Sequence, residues 1–92
     1  MNANIKMNLI KDLRGNLEKL EELERIANVA ELKYDADPEN GEAEKAFDQA
    51  YKNEFEAFIE TAEIVRVLLE IPAKTARAMV RGKRTELMEI LK

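Results

Sequence analysis

The chain has 92 residues, of which 46% are hydrophobic and 37% charged, which is the composition of one folded, charge-rich domain. It contains no cysteine, histidine or serine, so nucleophilic triads, thiol chemistry and imidazole proton transfer are excluded within the chain. Carboxylate or lysine chemistry is the enzymatic option that remains, and no cofactor is indicated. No apolar run approaches the ~20 residues that span a bilayer, and no secretory signal is recognisable, so the cytoplasm is the predicted location.

Charge is divided unevenly along the chain. Residues 1–71 carry 17 Asp/Glu against 9 Lys/Arg, a net charge of −8. Residues 72–92 carry 6 Lys/Arg against 2 Glu, a net charge of +4. Because clustered charge creates a field that selects partners, this division predicts interaction surfaces without identifying a chemistry.

The first predicted element is a long helix over about residues 4–34. Its apolar residues recur in steps of three and four from Ile10 to Leu20, and again from Leu20 to Tyr34. Gly15 interrupts a helix at a cost of about 1 kcal/mol relative to alanine. Since the apolar pattern continues through this glycine, the helix is predicted to be continuous.

A polar connection over residues 35–41 precedes a second helix, predicted to run from about residue 39 or 42 to residue 70. Two starts fit the sequence. In one, Asp37 is the N-cap and Pro38 lies in the first turn; in the other, Asn40 is the cap. The similar lengths of the two helices and the short connection predict an antiparallel hairpin.

The second helix carries four aromatic residues at helical spacing, and we expect them to lie in the core. They are Phe47, Tyr51, Phe55 and Phe58. Pro72 is predicted to end or kink this helix, because proline disfavours helical geometry in the residue before it.

The C-terminal residues 72–92 are predicted to form a shorter helical segment, either as one helix or as two helices broken at Gly82. This segment should fold back onto the hairpin, which gives an all-α bundle of the three-helix type in a single domain, residues 1–92. Several apolar residues, including Ile26 and Val29, are left without a partner in this arrangement. The sequence therefore predicts a dimer.

Five basic residues of the C-terminal segment are the candidate contact site, and four of them form one ridge on an unbroken helix. They are Lys74, Arg77, Arg81, Lys83 and Arg84. Such a ridge fits an acidic protein partner or a phosphate backbone, and it equally fits a solvated face paired with the chain's own acidic helices. No aromatic residue lies among these cations to stack on bases.

The stretch from Ile71 to Arg84 resembles the recognition half of a helix-turn-helix, and this resemblance implies contact with DNA. The sequence departs from that motif because a long helix, with no glycine turn, leads directly to Pro72.

Carboxylates on the two long helices are a further candidate site, since they could hold a hard cation such as Mg²⁺. They are Glu18, Glu21, Glu22, Glu60 and Glu63. The segments 21–25 and 60–63 resemble motifs of the all-helical nucleotide pyrophosphohydrolases, which implies metal-dependent nucleotide hydrolysis. Arg25 stands where that family has an acid, and Glu63 stands where it has Asp.

The function predicted from the sequence is a non-catalytic, helical protein–protein interaction module, such as a small adaptor, inhibitor or regulator. The alternative is an accessory nucleic-acid-binding protein that uses the basic C-terminal segment. A carboxylate–Mg²⁺ enzyme is the third hypothesis.

Overall fold

The computed structural model describes residues 1–91, so Lys92, the end of the predicted C-terminal segment, lies outside the described residues. The helices in this range are α1 (Ala3–Ala36), α2 (Gly41–Leu69), α3 (Ala73–Gly82) and α4 (Arg84–Ile90). As predicted, α1 and α2 form a long antiparallel hairpin, and the shorter α3 packs on α2. The molecule is elongated, with dimensions of 53 × 21 × 18 Å.

Side-chain and backbone caps define the ends of α1. It begins after Asn2, whose side-chain oxygen accepts a hydrogen bond from the N–H of Ile5 at 2.9 Å. It ends where the N–H of Asp37 donates to the carbonyl oxygen of Lys33 at 3.2 Å. The helix continues through Gly15 as predicted, and a Cβ added at this position would meet nothing within 4 Å.

Of the two predicted starts for α2, the structure selects Asn40. Its Oδ1 accepts hydrogen bonds from the N–H groups of Glu42 and Ala43 at 3.0 and 3.2 Å. The start at Asp37 is wrong, because this residue ends α1 and Pro38 lies in the turn between the helices. The Asn40 N–H donates to the carbonyl oxygen of Asp37 at 3.1 Å, which closes that turn before α2 begins.

The core lies in the half of the hairpin that is remote from the loop. Its buried residues come from all four helices and the residue after them: Leu13, Leu17, Leu20, Ala57, Phe58, Ala62, Val65, Leu68, Ala76, Val80, Leu87 and Leu91. We call this part of the hairpin the covered half, because α3 and α4 lie over it. We call residues 24–55 the loop half, in which Ala50 and Glu54 are buried.

The prediction that all four aromatic residues of α2 lie in the core is wrong for two of them. Phe58 is buried and Phe47 is partly buried, but Tyr51 is 59% exposed and Phe55 is 47% exposed. The aromatic stripe predicted from the sequence therefore coincides with the buried face of α2 near its C-terminus but not near the loop.

Small residues and one acid occupy the buried face of α2 near the loop instead. Ala50, Glu54 and Ala57 are spaced by four and three residues and are all buried. Their spacing is as helical as that of the aromatic residues, so periodicity alone does not distinguish the two faces.

The C-terminal segment forms two helices, which is one of the two predicted arrangements. α2 ends at Leu69, and Glu70 adopts the left-handed conformation with φ of 54°. Pro72 is the residue that precedes α3, so it ends the long helix as predicted. The chain leaves helical geometry between α3 and α4 at Lys83, one residue after Gly82. Across residues 1–91, no helix is long and apolar enough to cross a membrane.

Candidate functional site

The structure divides the five basic residues predicted as the contact site into two groups. Arg81 and Arg84 form ion pairs with acidic residues of the hairpin. Lys74, Arg77 and Lys83 are exposed, and none of the three forms an ion pair with any residue in the range 1–91. The basic ridge is therefore partly an internal contact and partly a free surface.

Arg81 joins all three of the helices α1, α2 and α3. Its Nη1 atom lies 2.5 Å from Oε1 of Glu54 and 3.8 Å from Oε2 of Glu24. Its guanidinium carbon lies 3.7 Å from the centroid of the Phe58 ring, within the range of a cation–π interaction. The Glu54 side chain is only 8% exposed, so Arg81 supplies the partner that a buried carboxylate requires.

Arg84 binds Glu24 on α1 through both of its terminal nitrogens. Nη1 lies 2.5 Å from Oε1 and Nη2 lies 3.0 Å from Oε2, a bidentate pair with directional hydrogen bonds. The hydrogen bonds that Arg84 donates to Glu24 raise the pKa of the Arg84 guanidinium; burial opposes this effect, and the nearby Glu21 and Glu54 carboxylates add to it. The junction between α3 and α4 is thereby tied to α1.

An open groove continues from Arg81 along the loop half, between α1 and α2. Its volume is about 270 Å³. It is lined by Glu24, Ala27, Asn28, Glu31, Phe47, Tyr51, Glu54 and Arg81. In the covered half, Ala76 and Val80 of α3 and Leu87 of α4 are buried in the core with residues of α1 and α2, whereas no described helix covers the groove in the loop half.

Two aromatic rings, those of Phe47 and Tyr51, contribute to the α2 wall of the open groove. The ring centroids of Tyr34 and Phe47 lie 5.6 Å apart in an edge-to-face arrangement, and those of Phe47 and Tyr51 lie 6.3 Å apart. The α1 wall contributes the small Ala27 and the amide of Asn28. Large aromatic side chains beside a small-residue wall are typical of protein-binding surfaces.

The loop half carries a net negative charge. Residues 24–55 contain 9 Asp/Glu and 4 Lys/Arg, a net charge of −5. Glu31 lies in the groove wall, is exposed, and forms no ion pair with any other residue that the structure describes.

A second groove lies on the opposite face of the loop half, and we call it the alanine groove. Its volume is about 230 Å³, and it is lined by Ile26, Val29, Ala30, Lys33, Ala43, Ala46 and Ala50. Ile26 and Val29, which the sequence leaves without a partner, are exposed here.

The carboxylates predicted as a metal site are not brought together. Within the part of the chain that the structure describes, no three acidic side chains are grouped in a way that could hold a metal ion. Glu22 instead pairs with Arg25, and Glu63 pairs with Arg66. Hydrogen bonds from these arginines lower the pKa of both carboxylates.

Sequence reasoning did not identify the residues of the open groove as a site. The available signal was Glu54, an acid that occupies a core-facing position between Ala50 and Ala57.

The chain matches no protein-family model, no curated protein and no solved structure. The open groove is therefore the feature from which a function can be inferred.

Proposed function

We propose that the protein is a non-catalytic interaction module that binds a helical segment of another protein in the open groove. One observation carries this proposal: the chain's own α3 already occupies the covered half, with Ala76 and Val80 buried and Arg81 paired to Glu54. In the loop half of the same hairpin, the open groove is not covered by any described helix. Helix-in-groove binding is a common mode of peptide recognition.

The dimensions of the loop half suit a short helix. From Glu24 to Tyr34 the α1 wall rises by roughly 15 Å, the length of about three helical turns. Tyr51 lines the open groove and is exposed. Phe55, one turn further along α2, is also exposed, and its ring centroid lies 6.3 Å from that of Phe58. Aromatic residues of this kind contribute strongly to binding free energy at interfaces, so an adaptor, inhibitor or regulator is the expected role.

A matched pair of groove-filling variants tests the proposal. Peptides selected from a helical display library on the wild-type protein are assayed against Ala27→Trp, which fills the open groove, and Ala46→Trp, which fills the alanine groove. We expect Ala27→Trp to weaken binding at least tenfold and Ala46→Trp to leave it unchanged.

The proposal is overturned if the selection yields no binders, if Ala46→Trp is the variant that blocks them, or if neither variant does. Circular dichroism verifies that both variants fold. Should Ala27→Trp fail to fold, Tyr51→Ala serves in its place, because this side chain is 59% exposed and its truncation leaves the core intact. The same loss of binding is then expected, and its absence contradicts the proposal.

Nucleic-acid binding is the second candidate, supported by the exposed Lys74, Arg77 and Lys83. Three cations contribute a modest electrostatic term, and the net charge of −4 opposes it. Fluorescence anisotropy of a labelled DNA duplex at about 50 mM and about 200 mM salt tests this candidate. Binding that weakens steeply with salt and is lost in Lys74→Glu/Arg77→Glu would support it.

We place the predicted dimer contact on the alanine groove, since small side chains let two helices approach closely and a two-fold axis would pair the same apolar face. Sedimentation equilibrium of the wild type and of Val29→Arg tests this contact. The wild type should have the mass of a dimer, and the variant should have the mass of a monomer. The cytoplasm stays the predicted location of the module.

A further inference from the structure

Building on the proposed function, we infer that the open groove binds a basic amphipathic helix of the partner protein, with small apolar residues on its buried face and arginine or lysine along its flanks. The inference rests on three features of the molecule: the way α3 is seated, the charge along the groove wall, and the net charge of the loop half.

The contacts of α3 show which kind of helix this hairpin accommodates. α3 buries the small residues Ala76 and Val80, and its three charged residues, Lys74, Arg77 and Arg81, are all basic. Arg81 reaches from its end to carboxylates on both walls, Glu24 on α1 and Glu54 on α2. A small apolar face with flanking cations is thus the combination that the hairpin already binds within its own chain.

Beyond Arg81, the α1 wall of the open groove again presents small and acidic side chains. Along α1, the side chains that line the groove are Glu24, Ala27, Asn28 and Glu31, so an acid recurs after seven residues on one helix face. Glu24 is occupied by Arg84, whereas Glu31 makes no ion pair within residues 1–91. A guanidinium on a docked helix can bind Glu31 as Arg84 binds Glu24.

The charge of the loop half favours a cationic partner and disfavours an acidic one. Its net charge of −5 attracts a basic helix during encounter and repels an acidic helix. Because the groove opens to solvent, this attraction should weaken as salt is added.

A pair of synthetic peptides tests the inference with the full chain. The first is a fluorescein-labelled helix with alanine and valine on one face and arginine on both flanks. In the second, every arginine is replaced by citrulline, which keeps the shape and removes the charge. We expect the arginine peptide to bind at least tenfold more tightly at about 50 mM salt, with a smaller difference at about 200 mM salt.

Two protein variants locate the charge effect. Glu31→Gln should weaken binding of the arginine peptide about threefold to tenfold and leave the citrulline peptide unaffected. Glu56→Gln removes the same charge from the opposite face of the hairpin, beside Lys19 and Leu23, and should change neither. Equal effects of the two variants would show that only net charge matters and would overturn the inference.

The outcomes separate this inference from the proposed function. If both peptides bind equally and Ala27→Trp blocks both, the groove binds helices but does not select for charge, so the inference fails and the proposed function stands. If binding is insensitive to Ala27→Trp, both fail. Sedimentation at the assay concentration completes the test: a dimer that the arginine peptide dissociates would identify a second copy as the occupant, and would overturn the inference of a separate partner.

Discussion

Glu54 is a buried residue of α2 that pairs with Arg81 and also lines the open groove. Its carboxylate depends on Arg81, which is itself 43% exposed and rests on the face of Phe58. A buried charge that loses its partner is strongly destabilising, whereas replacing both partners by apolar residues is often neutral. The pair should therefore hold α3 in place without adding much net stability of its own.

Truncating Arg81 tests this account of the pair. Arg81→Met should lower the free energy of unfolding by about 1–3 kcal/mol, because Glu54 is left buried and unpaired. The double variant Arg81→Met/Glu54→Leu should recover most of that loss. Urea denaturation provides the measurement.

Arg25→Met is the control for Arg81→Met, because Arg25 pairs with Glu22 on an exposed surface. It should change the free energy of unfolding by less than about 0.5 kcal/mol. Equal effects of Arg25→Met and Arg81→Met would contradict the account.

The two exposed pairs along the helices predict a titration signature. Hydrogen bonds from Arg25 and Arg66 lower the pKa of Glu22 and Glu63, so both carboxylates should titrate below the ordinary glutamate value in a carbon-detected NMR titration. Because these pKa values are lowered in the folded state, the contribution to stability is present above about pH 4 and lost as pH falls through them. Arg25→Gln should return Glu22 toward its ordinary value, and a Glu22 midpoint that stays low in this variant would exclude the ion pair as the cause.

At the scale of elements, local hydrogen bonds decide where α1 ends and α2 begins. The residue types alone do not show which of these hydrogen bonds form. Both Asp37 and Asn40 are good N-cap residues by type. The turn closed by the Asn40 N–H and the Asp37 carbonyl decides between them, and α2 begins after Asn40.

Replacing each candidate cap by alanine distinguishes them. Asn40→Ala should destabilise the protein by about 1 kcal/mol, because two N–H groups of the first turn of α2 lose their acceptor. Asp37→Ala should cost less than about 0.5 kcal/mol, since Asp37 contributes its backbone to the helix end. Thermal unfolding of both variants measures the difference, and the reverse order would be inconsistent with the observed cap.

The sequence was sufficient for the number, type and approximate ends of the long helices, because their apolar residues recur over many turns. It failed to identify which face of α2 is buried near the loop. Tyr51 and Phe55 carry more apolar surface than Ala50 and Glu54, yet Ala50 and Glu54 are the buried residues. Glu54 can be buried only because Arg81 comes back to it from 27 residues away, and no local pattern reports such a contact.

At the scale of the whole molecule, the hairpin has two unequal halves. The covered half contains nearly all of the buried side chains, whereas the loop half buries Ala50 and Glu54. Regions with few buried apolar contacts open locally more often, and binding sites are commonly found in such regions.

Amide hydrogen exchange of the free protein should show this difference within one helix. We expect the amides of residues 45–52, in the loop half of α2, to exchange faster than those of residues 57–65, in the covered half. Both stretches lie inside α2, so end fraying does not explain a difference. Equal protection of the two would contradict the division into halves.

The candidate site was partly predictable from charge. The sequence indicates the basic ridge and an acidic remainder, and the structure pairs Arg81 and Arg84 with that remainder. The open groove itself could not be predicted, because it lies beyond Arg81, where α3 ends at Gly82 while α1 and α2 continue.

The most direct test of the central claim is an isotope-filtered NOE experiment on the labelled protein bound to the unlabelled arginine peptide. The account predicts NOEs from the peptide's alanine and valine methyl groups to the Ala27 methyl group and the Tyr51 ring, which line the open groove. It predicts none to the methyl groups of Ala43 and Ala46 in the alanine groove. NOEs to those two alanines, with none to Ala27 or Tyr51, would contradict the claim that the partner helix binds in the open groove.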